Sequence, residues 1–136
     1  MAVDSTDELE AVLAYDTIAV VGCSSTPGKA AHNVPKYMLE HGYNIVPVNP
    51  FADEIFGRQT YDSLAAVEES INVVCVFRPS EEVSDIVDAA LERDDVQVIW
   101  TQSGIRDDEA AARAAADGRT VVQNRCLKVE HRRLVA

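Results

Sequence analysis

TIAVVGCSSTPGKAAHNVPKYM, residues 17–38, opens on an unbroken apolar run and passes through glycine and small hydroxyl residues into a segment with helical spacing. A short run without polar alternation is what a strand covered on both faces requires. Four further runs of this kind occur, at Asn44 to Val48, Asn72 to Phe77, Val96 to Trp100 and Arg119 to Val122. Between them lie helical patterns at Val34 to His41, Ser80 to Arg93 and Asp107 to Asp117. In the second of these, Val83, Ile86, Val87, Ala90 and Leu91 share one face, Ser80 is placed to cap, and Glu81 and Glu82 suit the dipole of the first turn. Ser5 with Glu8 three residues on reads as a capping box, so a short helix is expected before the first strand. Alternating strand and helix with short connections predicts an α/β fold: a doubly wound, five-stranded parallel sheet in three layers.

In such a sheet, ligands sit at the carboxyl ends of the strands, near the point where strand order reverses. Those ends are Gly22 to Lys29, Asn49 and Pro50, Phe77 to Pro79, and Thr101 to Gly104. The first is a glycine turn feeding a helix N-terminus, where backbone donors and the helix dipole favour a phosphate. An ordinary strand-to-helix turn reads the same way. The loop matches neither G-x-G-x-x-G, since the second glycine is missing, nor G-x-x-x-x-G-K-[ST], since Ala30 follows the lysine. The second strand ends in Asn49 and Pro50, where an NAD-binding domain usually places an acid for the ribose; Asn49 could also simply open a turn. Lys29 and Arg78 can both reach the same strand-end crevice to meet phosphate, or could pair with surface carboxylates.

The net charge is −11, with 23 acidic residues against nine arginines and three lysines. That balance disfavours nonspecific binding to nucleic acid or an anionic membrane and suits a protein kept hydrated in concentrated salt, so a halophilic source is expected. No apolar run approaches the roughly 18 residues of a membrane span, and the start is too acidic for a signal peptide, which implies a cytoplasmic protein. Cys23, Cys75 and Cys126 are odd in number and widely spaced, giving neither a disulfide framework nor a metal motif.

Taken in order, VVGCSSTPGKAAHNVPKYM, IVPVNP with EIFGRQTYDSL, VVCVFRPSEEVSDIVDAAL, VIWTQSGI and NRCLKVEHRRL resemble the small single-domain CoA-binding proteins of the YccU type, from Ile18 to Leu134. The resemblance extends to the Rossmann-like CoA-binding domain of the succinyl-CoA synthetase α subunit. It implies one domain over residues 1–136, with a helical extension at 1–16 and a tail at 123–136 packed on it. It implies coenzyme A as cofactor, with Gly22, Ser24, Ser25, Thr26, Pro27 and Lys29 on the phosphate loop. Asn49 and Pro50 then lie beside the adenosine, Phe77 and Arg78 at the crevice, and Thr101, Gln102, Ser103 and Gly104 along the pantetheine arm. Two departures stand out: NPFADEI lacks the lysine the synthetase carries there, and the chain ends before any phosphohistidine domain. The resemblance therefore implies a small-molecule-binding module without catalysis of its own. An NAD(P)-binding oxidoreductase-like domain and a regulatory or interaction protein using the same cleft are the alternatives. A catalytic reading would rest on Cys23 or on the tail cluster Cys126, Lys128, Glu130 and His131; a tail packed with Cys126 and Leu127 inward and its charges solvated accounts for the same residues.

Overall fold

A computed structural model describes residues 5–135 of the chain. The elements run α1 (Thr6–Leu13), β1 (Thr17–Val21), α2 (Ala30–Glu40), β2 (Asn44–Val48), β3 (Glu54–Ile55), β4 (Arg58–Gln59), β5 (Val73–Val76), α3 (Val83–Leu91), β6 (Val98–Thr101), α4 (Asp108–Ala116), β7 (Thr120–Val122) and α5 (Leu127–Leu134). The main sheet has the order β2-β1-β5-β6-β7 and every pair in it is parallel. The expected doubly wound, three-layer sheet is therefore the fold, and strand order reverses between β1 and β5.

Alternate residues of the strands feed two cores. Ile18, Val20, Cys75 and Trp100 pack under α1, α2 and α5, while Ala19, Val74, Val76 and Ile99 pack under α3 and α4. Trp100 is fully buried and its indole N–H donates to the Arg125 carbonyl over 2.7 Å, so the largest side chain of the core leaves no orphan donor. Truncation to alanine would cost about 3–5 kcal/mol at such a site. Pro47 interrupts the donors of β2, which a parallel sheet tolerates at an edge, and β2 is an edge strand.

The first helix obeys its capping signal: the Ser5 hydroxyl accepts the Glu8 N–H over 3.2 Å and donates to the Glu8 carboxylate over 2.8 Å. Three other elements depart from the sequence reading. The helix expected from Val34 begins at Ala30, with Pro35 inside it. The helix expected from Ser80 opens as a 3-10 turn over Ser80–Glu82 and becomes α-helical at Val83. Ser80 does not cap it, because its hydroxyl accepts the Arg106 N–H over 2.9 Å. Between β2 and β5 a hairpin of two-residue strands turns at Phe56 and Gly57, both at positive φ (56° and 77°), as a type I′ turn requires.

The segment after β7 forms α5, and its charges are not all solvated. Glu130 is buried between Arg133 (2.6 Å) and Arg125 (3.7 Å), and buried His131 receives Tyr37 through a 2.8 Å contact between the hydroxyl and Nδ1. Paired charges can be interior where lone ones cannot. Arginine also serves as a clamp. All five N–H groups of Arg93 are used, on both Asp95 oxygens and the carbonyls of Leu64, Val67 and Glu69. Arg119 likewise holds the carbonyls of Ala90, Leu91 and Val96. A lysine has three donors and no planar fork, so it could not replace either.

Candidate functional site

The strand-order reversal leaves a crevice at the carboxyl ends of β1, β2 and β5, and a cavity of about 390 Å³ occupies it. Of the residues expected at the site, Gly22, Asn49, Pro50 and Arg78 line it. Gly22 is needed there for two reasons. Its φ is +89°, and a Cβ would stand 2.8 Å from Arg78 Cδ and 3.1 Å from the Phe77 carbonyl oxygen. Phe77, also expected at the site, does not line the cavity: its carbonyl closes on Gly22 and its side chain is packed against the core.

Asn49 is more than a turn opener. Its Oδ1 accepts the Phe51 N–H (2.8 Å), closing the turn, while its Nδ2 donates to the Cys23 carbonyl (2.8 Å), joining the β1 and β2 loops. Phe51, next along, also lines the cavity and is 94% exposed.

The loop from Ser24 to Lys29 takes its shape from α2. Pro35 has no N–H to give the Ala31 carbonyl, and that carbonyl accepts the Ser24 N–H instead, over 3.0 Å. Asn33 Oδ1 accepts the Gly28 N–H (3.2 Å), and Ser24 Oγ accepts that of Thr26 (3.0 Å). The loop donors of Ser24, Thr26, Gly28 and, through the Thr26 carbonyl, Lys29 are thus already engaged. The N–H groups of Ala30 and Ala31, in the first turn of α2, have no partner among the described residues. Ser25, Thr26, Pro27 and Lys29 are exposed around them, and Lys29 lies outside the cavity that Arg78 lines.

The end of β6 departs furthest from expectation. Thr101 and Gln102 are buried and serve the fold: Thr101 Oγ1 donates to the Ile105 carbonyl (2.8 Å) and accepts the Asn124 N–H (3.1 Å), while Gln102 Oε1 accepts the Leu127 N–H (3.0 Å). Ser103 and Gly104 remain exposed.

Sequence reasoning missed the far wall. Glu82, Asp85, Ile86 and Ala89 form one stripe at spacings of three, four and seven along the 3-10 turn and α3, and Asp62, Ser63 and Leu64 arrive from beyond the hairpin. The stripe was available as a second face of the helical pattern; the hairpin left no periodic signal. Arg78 is tied to Glu82 on this wall, Nε to Oε1 at 3.0 Å and Nη2 to Oε2 at 2.8 Å. Each partner stabilises the other's charge, raising the guanidinium pKa and lowering the carboxyl's.

Neither thiol in the core is a poised nucleophile. Burial pushes Cys23 up to about 12 and raises Cys75 further. In the tail, Glu130 is taken by arginines, and His131 lines a separate cavity with Asp16 and Tyr43, residues that precede β1 and β2 at the opposite end of the sheet. Among the described residues no group of three or more His, Cys, Asp or Glu could hold a metal ion, and no helix is long and apolar enough to cross a membrane.

The comparisons agree with this architecture. The solved structure of a Pyrococcus horikoshii protein superposes with a TM-score of 0.92 at 35% identity, over 98% of this chain and 94% of that one. A Thermus thermophilus protein gives 0.90 at 40% identity, over 96% and 99%. In sequence, the chain is 41% identical to the Bacillus subtilis protein YneT over 84% of each chain. It is 31% identical to an ADP-forming acetate–CoA ligase of Methanocaldococcus jannaschii, over 60% of this chain but only 12% of the ligase. The model of the family described as "CoA binding domain" matches residues 16–132, so by sequence as by fold the chain belongs to the CoA-binding-domain family.

Proposed function

We propose that the protein binds coenzyme A at the strand-order reversal, with the adenosine in the cavity and the pyrophosphate outside it, over the Gly22 to Lys29 loop. The observation that carries this reading is the coincidence of a CoA-binding family match across residues 16–132 with a cavity at the β1–β5 switch point walled by Gly22, Asn49, Pro50 and Arg78. The cavity offers Pro50, Leu64, Ile86 and Ala89 to a base, and the carboxylates of Asp62 and Asp85 to donors such as ribose hydroxyls or an amino group. With three carboxylates and one arginine that Glu82 already holds, it suits the adenosine, and leaves Arg78 to the phosphate that coenzyme A carries on its ribose. The pyrophosphate fits better beside Lys29 and the free N–H groups of Ala30 and Ala31. The pantetheine arm would then pass Ser103 and Gly104, since Thr101 and Gln102 are engaged by the fold.

The test is twofold. Mass spectrometry of the denatured protein identifies any copurified ligand, and calorimetry compares CoA with NAD and ADP. CoA should bind tightest, and Lys29→Ala should weaken it by roughly 1 kcal/mol or more, as loss of a charge-assisted contact does. Preference for NAD, with Lys29→Ala without effect, would transfer the site to the dinucleotide reading.

A further inference from the structure

Among the described residues Arg78 is the only cationic side chain on the cavity wall, and its Nε/Nη2 edge is already taken. Its Nε and Nη2 meet both oxygens of Glu82, the two-pronged geometry that a guanidinium offers a phosphate. The guanidinium makes no other hydrogen bond among the described residues, and its Cδ is seated over Gly22. Glu82 therefore fills the Nε/Nη2 edge of the guanidinium, and a phosphate taking Arg78 by that edge has to displace it. Asp85, one helical turn further along the same wall, has no ion-pair partner among the described residues. The two carboxylates thus share a helix stripe and a charge, and differ in that one holds the arginine. Both partners are about half exposed, 46% for Arg78 and 45% for Glu82, so water can replace either one and the pair can open without stranding a buried charge.

We propose that Glu82 is an internal competitor for the phosphate that coenzyme A carries on its ribose, a latch that keeps the Nε/Nη2 edge of Arg78 closed until that phosphate displaces it. This rests on the CoA reading for the identity of the ligand, not for the contest over Arg78. The latch sets specificity: a ligand without a phosphate has nothing to offer the Nε/Nη2 edge of Arg78, and one with a phosphate contends there with a carboxylate already in place. It also makes Glu82 a residue whose loss strengthens binding, opposite to the usual consequence of altering a binding wall.

Calorimetry at fixed ionic strength on the full chain tests this with parent, Glu82→Gln, Asp85→Asn, Arg78→Ala and the Arg78→Ala/Glu82→Gln double variant, each checked for folding by circular dichroism. Glu82→Gln should bind CoA roughly two- to fivefold tighter than the parent, the range that opening an exposed pair allows. Asp85→Asn removes the same charge without freeing the arginine and should gain less than half as much. In the Arg78→Ala background the Glu82→Gln gain should shrink to the Asp85→Asn level. A Glu82→Gln variant no tighter than Asp85→Asn, or a gain that survives intact without Arg78, overturns the latch. Should CoA bind none of these proteins, the CoA reading falls and inorganic pyrophosphate decides the latch alone. Tighter pyrophosphate binding by Glu82→Gln than by Asp85→Asn upholds it, and equal or absent binding overturns it.

Discussion

The Asn49 side chain donates to the Cys23 carbonyl over 2.8 Å, so the loop that ends β2 holds the loop that ends β1. Asn49→Ala leaves that carbonyl without its donor and also opens the turn at Phe51. Urea unfolding should show a loss of about 1–2 kcal/mol. CoA affinity should fall with it, because both loops border the site, and an unchanged affinity would detach Asn49 from binding.

Gly22→Ala should be worse than an alanine at Gly118, although both glycines have nearly the same positive φ (+89° and +88°). The backbone penalty of roughly 1–2 kcal/mol is shared. Only at Gly22 does the new methyl meet Arg78 and the Phe77 carbonyl, whereas nothing lies within 4 Å at Gly118. The difference between the two unfolding free energies measures that close approach, and only the Gly22 variant should lose CoA affinity.

Thiol labelling at pH 8 should modify Cys126 well before Cys23 or Cys75, which are buried and whose thiolates burial disfavours. Intact-protein mass spectra over time give the order. The same burial makes the fold alkali-sensitive. Between the ordinary thiol value and about 12, the unfolded chain has released a proton that folded Cys23 keeps, so stability falls as pH rises through that window. Cys23→Ala should lose less stability than the parent between pH 8 and pH 10.

The acid side has a histidine counterpart. Burial, with His41 nearby, holds the pKa of His131 below the ordinary histidine value. As pH drops through that ordinary value, the unfolded chain takes up a proton that folded His131 refuses, and stability falls. The urea midpoint of the parent should therefore decline between pH 7.5 and pH 5.5, and that of His131→Gln should decline less.

Raising salt from 50 mM to 2 M should raise the unfolding midpoint if repulsion within a chain of net charge −11 limits the fold. A flat response would remove salt adaptation as the reason for the composition. The arginines give a second reason for the scarcity of lysine, since the clamps made by Arg93 and Arg119 need the planar fork.

The five main strands were legible because both faces of each are buried, which strips polar residues from the run. The reading erred at ends: Val96 is buried but precedes β6, so apolar character overran pairing. The hairpin was not legible, since strands of two residues have no period and Phe56, at φ 56°, is not a residue that announces such a turn. Its return brings Asp62, Ser63 and Leu64 to the cavity, so that part of the wall was hidden for the same reason. Strand-end logic pointed to Gly22, Asn49, Pro50 and Arg78, which line the cavity. Thr101 and Gln102 stand at the end of β6 but are buried and bonded within the fold, and a sequence does not distinguish a hydroxyl or amide facing a ligand from one satisfying its own backbone.

Pro47 and the segment beyond the hairpin together settle how this sheet meets other molecules. Tyr61 donates to the Pro47 carbonyl and accepts the Asn49 N–H, so a bridge of its own chain caps the outer side of β2, and the proline offers no donor there. An incoming strand from another copy would find that margin partly occupied and short of partners. Growth of the sheet by strand addition, the usual route from an exposed edge to aggregates, is blocked on the β2 side, and self-association of folded copies there would have to proceed through side chains.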